Sequence, residues 1–515
     1  MKKITIIALL GGFTLLFGLS GCKLNTDPTT SLSADAVFDK AEDSEKVLNG
    51  AWRYLMENFS TFANPGYGSF LRAGDAMGND VVLNTRYGFA NHYALNAIYS
   101  RGGTNGLSWT LSYAVINNAN NVIKYIDGTT GDDEVKKRIK GQAYGLRGFI
   151  YLHLASLYSF AIDKDPNAVC VPIYTEPSNE KTEGLPASSV KEVYEQAISD
   201  LEEALKLIPA NYARNQKYKI DRQVTLGLLS RATLYARQWE KAADYSAQLL
   251  ALNNYLMTEK EYKAGFNSVE NKEWIWGHPQ TAEQSDASYQ FHYLDVTSSV
   301  SYYYSFNTDP YFLDLFDDGD YRKSMIYWAP DPGKPPATET FAWLRYPKFI
   351  FRSPSDFTAD IVLMRVSEIV LINAEANARL NRNAEAIAKL NELKSTRLAK
   401  SISGLSGQSL LDAIWIERRK ELFGEGFALV DIIRNQQTIV RKDYPQSPKV
   451  NYKYTDSKGQ EQTVALTPQG HRIFQFPDKS AFEKNSKYFL FRIPEVEETT
   501  NTSLYKNHPK LAIYN

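Results

Sequence analysis

Apolar residues recur at three- and four-residue intervals through most of the chain, and the places where that rhythm breaks are as informative as the places where it holds. From Ala34 to Phe59, Val37, Phe38, Ala41, Val47, Leu48, Ala51 and Leu55 keep a helical period. The period returns over Trp109–Ile126 and over Val135–Tyr158, where Ala143, Leu146, Ile150, Leu154 and Leu157 mark one stripe. Asp165-Pro166 and Val171-Pro172 end that run. Ser189–Ile208 reads as a further helix, with Ser189 placed to cap it, Glu192 three residues on as in a capping box, and Pro209 closing it.

Two later stretches read as helix pairs: Leu226–Tyr235 with Trp239–Leu252, and Ile361–Leu380 with Ala384–Leu398 across Asn381-Arg382-Asn383. Alanines at 232, 236, 242, 243 and 247 in the first pair, and at 374, 378, 386 and 388 in the second, allow close helix approach. These pairs resemble tetratricopeptide hairpins, irregularly spaced rather than in tandem. Between the helices the period is lost over Asn64–Gly106, Tyr262–Pro354 and Asp443–Gln475, which fill with turn formers and aromatics and read as ordered loops inserted over a helical scaffold. Short strands are expected at Trp274–Trp276 and near Lys348–Phe351. The fold class expected is mostly α, a scaffold of tetratricopeptide-like hairpins with long aromatic-rich loops and a few short β elements. An N-terminal region, 34–225, and a C-terminal region, 226–515, are expected to form one compact body.

Lys2 and Lys3 precede an apolar run, Ile4–Leu19, that ends in Leu19-Ser20-Gly21-Cys22. The run is marginal against the roughly 20 apolar residues of a spanning helix, and no charged stop-transfer flank follows it. Residues 1–21 therefore read as a secretory signal with a lipobox, leaving Cys22 to be lipidated; several acyl chains together make a stable anchor. The alternative is a plain signal peptide with a chance cysteine. Residues 22–33, polar and rich in Thr, Ser and Pro, read as a tether. Cys170 is the one other cysteine, so no disulfide is expected. The chain carries 58 basic and 59 acidic residues, and loss of Lys2 and Lys3 with the signal leaves a net charge of about −3. That balance points to neither nucleic acid nor anionic lipid as a partner.

Catalytic signatures are sparse. The histidines at 92, 153, 278, 292, 471 and 508 include no H-E-x-x-H and no i,i+4 pair, and no G-x-S-x-G elbow, Walker loop or dinucleotide fingerprint occurs. The acidic run Asp314–Asp320 departs from EF-hand spacing and reads as a solvated turn before a calcium loop; no cofactor is expected. Glu417, Arg418, Arg419, Glu421 and Glu425, together with Arg365, Glu368 and Glu375, suggest a structural ion network locking helices together. A glycosidase needs two carboxylates about 5 to 10 Å apart, and no particular pair stands out for that role. What is abundant is aromatic: 33 Tyr, 25 Phe and 8 Trp. Flat rings flanked by Asp, Asn or Arg suit the C–H face and hydroxyls of a sugar. Asp80, Arg86, Tyr87, Tyr99, Arg101 and Asn105 form one candidate group, and Tyr289, Tyr302, Tyr303 and Trp328 a second. Rings of this kind more often anchor a loop mini-core than touch ligand, and Asp80 is as well suited to capping a turn as to contacting ligand. Trp109, Trp274 and Trp276 are assigned to the core.

Several blocks, in order along the chain, are similar to the SusD/RagB family: Leu24-Asn25-Thr26-Asp27-Pro28; Asn49-Gly50-Ala51-Trp52; Trp109 with Tyr113, Ile116, Ala119 and Asn120; Arg147–Leu154 running to Val171-Pro172-Ile173; and Asp200-Leu201 with Ala204. The most specific are Arg365–Ala376 and Glu417–Gly426. Tyr158-Ser159-Phe160 departs from the family's usual Tyr-Gly, and Tyr505–Pro509 varies its common ending. The resemblance implies a non-catalytic surface lipoprotein of the outer membrane that captures glycan as a lid on a SusC-like TonB-dependent transporter. By position, Tyr99–Gly106 resembles the loop where family members often carry a ligand-stacking aromatic. A peptide receptor of the same family, or a lipid-anchored helical-repeat scaffold, remains as an alternative.

Overall fold

A computed structural model describes residues 38–58, 65–84, 88–353, 355 and 357–512. The signal segment, Cys22, the tether, Arg86 and Tyr87 lie outside them. Twelve helices organise the rest: α1 Ala41–Glu57, α2 Gly66–Met77, α3 Thr104–Tyr125, α4 Asp133–Leu157, α5 Val190–Leu207, α6 Arg222–Tyr235, α7 Trp239–Leu252, α8 Val366–Arg379, α9 Asn383–Thr396, α10 Gly407–Glu421, α11 Ala428–Arg434 and α12 Glu495–Thr500, with several shorter turns between them. Pairs α4–α5, α6–α7 and α8–α9 pack side by side, and α7 packs on α8, so consecutive hairpins share faces. The mostly α scaffold expected from the apolar period is what forms.

The packing follows from particular side chains. Gly141 and Gly148 let α5 and its exit lie directly on α4; a Cβ at Gly148 would come within 2.9 Å of Ala197 O and of Leu201. Across that contact Arg147 Nε and Nη2 donate to both oxygens of Asp200 at 2.8 and 2.6 Å, while Nη1 donates to Asn120 Oδ1 on α3 at 2.7 Å. One guanidinium thus ties three helices. Arg231 joins α6 to α8, bidentate on Glu368 at 2.7 Å, and Arg434 joins α11 to α8 through Glu375 at 2.7 and 2.9 Å. Ser189 caps α5 as expected, Oγ accepting from Glu192 N while the Glu192 carboxylate accepts from Ser189 N.

Four local expectations need correction. Ile361–Leu380 is not one helix: Ile361–Arg365 is strand β8, paired antiparallel with β4 Trp274–His278, and α8 starts at Val366. A short apolar run buried on every side carries no period to tell strand from helix. The glycine-rich stretch after Asn64 contains α2, all but one of whose residues are buried, so its glycines serve close packing. The insertion 443–475 carries a hairpin of β9 Val450–Thr455 and β10 Glu461–Gln469, which joins β6 Tyr327–Ala329 and β7 Phe341–Arg345 in a four-stranded sheet ordered β6-β7-β10-β9. The strand expected near Lys348–Phe351 lies earlier, as β7. Elsewhere β1 Val81–Leu83 pairs with β5 Phe306–Thr308, and β2 Val169–Pro172 with β3 Ala187–Ser189.

At the centre is an ion network with almost no solvent contact. Glu421 receives Arg322 Nη1 at 2.6 Å, Arg365 Nη1 at 2.6 Å and Arg397 Nη2 at 2.8 Å. Around it Asp320 and Glu417 bind Arg322, Glu273 and Glu425 bind Arg365, Lys348 binds Glu425 and Lys420 binds Glu417. Five carboxylates therefore face five cations, all buried. Burial would raise the Glu421 carboxyl, but Arg397, Arg365 and Arg322 hold it well below the usual carboxylate range. Lys348 moves the other way, lowered to about 8 by burial despite Glu425 beside it. The acidic run noted in the sequence feeds the same network: Asp320 through Arg322, Asp317 through Lys394 at 3.4 Å, with Asp318 pairing Lys323 at its edge.

Glu421→Gln leaves three buried guanidinium groups around a neutral amide. The expected cost is about 3–5 kcal/mol, as for breaking other buried pairs, read as a fall in the urea midpoint at unchanged slope; a midpoint within error of wild type contradicts it.

Burial holds four histidines below their ordinary 6.5, His92 and His292 at about 4, His153 and His471 at about 3. The unfolded chain binds their protons first as pH falls, so this stability is present above 6.5 and is lost from there down towards 4 for His92 and His292 and towards 3 for His153 and His471. Among the described residues neither ring nitrogen of His92 has a hydrogen-bond partner. His92→Phe is therefore expected to keep or raise Tm at about pH 7 and to lessen its fall by about pH 5; an unchanged pH dependence contradicts the assignment.

Candidate functional site

Residues 286–294 make a 3-10 turn followed by one helical turn, and the chain returns through Tyr302–Tyr304 into β5. The return is pinned to His292: its carbonyl accepts from Tyr303 N, Tyr304 N and Ser301 Oγ, and its Nδ1 accepts from Tyr302 N at 3.2 Å. Burial keeps the imidazole neutral, and because Nδ1 is an acceptor, the proton is assigned to Nε2. The Tyr302 ring lies flat on this imidazole, centroids 4.0 Å apart and planes 7° apart. His292 covers one face of the ring, and Tyr302 as a residue is 50% exposed.

Other rings frame it. Tyr289 packs edge-on to His292 at 4.6 Å, and its hydroxyl lies 3.1 Å from that of Tyr303. Phe357 lies 5.5 Å from Tyr302 and 5.1 Å from His292. Tyr303 stacks on Tyr293, which is buried. Beneath, Asp295 accepts from Thr297 N, Ser298 N and Phe351 N, and Arg345 Nη1 donates to Tyr304 O at 3.1 Å and to Asn307 Oδ1 at 2.6 Å. The rings thus stand on a backbone fixed from behind. Such a surface offers stacking and hydroxyl hydrogen bonds. No cluster of three metal-ligating side chains occurs among the described residues.

Of the residues expected to bind ligand, the structure brings Tyr289, Tyr302 and Tyr303 together and places Asp80, Tyr99, Arg101, Asn105 and Trp328 elsewhere. Asp80 is buried, with Arg419 donating to both its oxygens, Nε at 3.1 Å and Nη2 at 2.5 Å. Asn105 is buried and donates to the carbonyls of Ile98 and Ser100, fastening the loop that leads into α3. Arg101 pairs with Glu498. Tyr99, half-buried, packs on Tyr488 at 5.2 Å with Lys487 and Arg492 over its ring. Trp328, on β6, lies 5.7 Å from Tyr444. Trp109, Trp274 and Trp276 are buried, as assigned. Arg86 and Tyr87 fall outside the described residues. His292 and Phe357 were not singled out in the sequence. His292 follows Tyr289 by one helical turn, the only local hint of a ring stack; nothing in the sequence near Phe357 marks it.

Comparisons with known proteins identify the family. A family described as "Starch-binding associating with outer membrane" matches residues 38–234, and the SusD family matches 319–510. Among solved structures, a SusD-like carbohydrate binding protein from Bacteroides vulgatus is 63% identical, covers 93% of this chain and 100% of its own, and superposes with a TM-score of 0.90. A SusD superfamily protein from Bacteroides thetaiotaomicron is 25% identical over 78% of this chain and 90% of its own, TM-score 0.66. A SusD-like protein of Formosa agariphila is 23% identical over 85% of this chain and 93% of its own length. With both halves matched and this degree of identity, the chain belongs to the SusD/RagB family.

Proposed function

We propose that this protein is a non-catalytic glycan receptor anchored by lipid at the cell surface, which binds an oligo- or polysaccharide on the Tyr289–Tyr302–Tyr303 surface and passes it to a SusC-like TonB-dependent transporter in the outer membrane. The observation that carries the binding role is Tyr302, a half-exposed residue whose ring is backed by His292. An exposed ring held in place by a second ring loses little freedom when a sugar stacks on it, and so binds more tightly than a mobile one. The neighbouring Tyr hydroxyls supply donors and acceptors for sugar hydroxyls. Further support comes from the 63% identical structure, described as a carbohydrate binding protein. Anchoring is supported by Lys2, Lys3 and the Leu19–Cys22 motif and by the family's description as associating with the outer membrane. Among the described residues no helix is long and apolar enough to cross a membrane.

Affinity electrophoresis and calorimetry against a polysaccharide panel test the receptor role. At least one glycan is expected to bind saturably, without product formation, and Tyr302→Ala is expected to weaken it by about tenfold or more, about 1.4 kcal/mol, while leaving Tm unchanged. Wild-type affinity in the variant would move the site off this surface, peptide binding would change the ligand class, and released sugar would make the protein an enzyme. For the anchor, Cys22→Ser is expected to abolish incorporation of labelled palmitate and release the protein from the membrane fraction; retained label would exclude Cys22 as the acceptor.

A further inference from the structure

A second cleft, of about 250 Å3, is built from none of the residues that frame Tyr302. It is lined by α3, the segment 173–182 and Glu497 of α12. Trp109 and Tyr113, one helical turn apart on α3, bring their rings to 4.6 Å, and Tyr174 stands edge-on to Tyr113 at 5.8 Å. The opposite wall is clamped. Asn117 donates to Ser178 O and accepts from Ser178 N, and Asn120 donates to the carbonyls of Tyr174 and Glu176. The cleft is therefore formed before any ligand arrives. Its volume falls just below the roughly 300–1,000 Å3 of pockets for drug-sized ligands, which suits a single sugar ring.

Charge narrows the ligand further. Glu497 is the one charged residue lining the cleft among the described residues. Asn501 Nδ2 donates to its Oε1 at 2.9 Å, and Oε2 carries no hydrogen bond among the described residues. A lone carboxylate accepts from a pair of sugar hydroxyls and repels a carboxylated or sulfated sugar. We propose that this cleft is a second subsite of the receptor, taking one neutral sugar ring against Tyr113, with the largely buried Trp109 lining the cleft beside it and the sugar hydroxyls donating to Glu497. The proposal rests on the glycan-binding reading, and its test separates the two.

The chain has eight tryptophans, so indole-nitrogen NMR of the whole protein gives one resonance for each, with Trp109 assigned by its disappearance in Trp109→Phe. The probes are methyl glycosides of glucose, galactose and mannose, with methyl glucuronide as the acidic counterpart. The expected result is a saturable shift of the Trp109 resonance with at least one neutral glycoside. That shift should survive Tyr302→Ala, weaken by about tenfold in Glu497→Ala, about 1.4 kcal/mol, and be absent with the glucuronide. No Trp109 shift with any neutral glycoside, or an equal response to the glucuronide, overturns the subsite. If that happens while polysaccharide binding still depends on Tyr302, the receptor reading stands without it; if no glycan binds at all, the receptor reading itself fails.

Discussion

Glu421 holds three arginines at once, and most of the molecule is arranged so that it can. Its partners arrive from different parts of the chain: Arg322 from the inserted loops, Arg365 from the end of β8, Arg397 from just past α9. Taking so many charges out of water is costly, and the arrangement is tolerable only because each has its counter-charge and nearly all its hydrogen bonds are made inside. Arg397 reaches Met257 O, Lys348 reaches the carbonyls of Glu421 and Phe423, and Arg365 reaches Glu421 O. A half-formed network would leave buried charges unpaired. The helical hairpins and the inserted loops are for that reason coupled: neither half can shift without stranding charge.

The candidate binding surface inherits its rigidity from this centre along a short piece of chain. Lys348 belongs to the ion network; three residues earlier, Arg345 holds Tyr304 O and Asn307, and three residues later, Phe351 N donates to Asp295 Oδ2 at 3.1 Å while its ring packs on His292 at 4.9 Å. The stretch from 345 to 351 thus runs from charged core to aromatic surface. That link explains how residues in long loops, without regular secondary structure around them, can present fixed ring faces.

Much of the scaffold was legible in the sequence because helices bury stripes at a regular period: the α4 stripe, the Ser189–Glu192 capping box and the α6–α7 pair are all visible there. The ion network was legible as a suspicion, since Glu417, Glu421 and Glu425 recur every four residues, but its partners at 273, 322 and 397 come from remote segments that no local pattern joins. β8 was hidden because Ile361–Arg365 is buried on all sides. The β9–β10 hairpin had a signal, the alternation of Val450, Tyr452 and Tyr454 ahead of Asp456–Gly459, which the polar surroundings obscured. For the site, sequence offered rings in plenty and no way to sort them. Tyr302 differs from Tyr304 only in what lies behind it: one is half exposed over His292, the other buried.

If glycan binds on a pre-formed aromatic surface held from behind by the ion core, hydrogen exchange with and without a bound glycan will show it. The account predicts that residues 289–305 already exchange slowly in the free protein and gain further protection on binding, with the backbone around Glu421 unchanged. Protection appearing instead on the exposed β9–β10 hairpin, or a 289–305 segment that is unprotected until ligand is added, would contradict it.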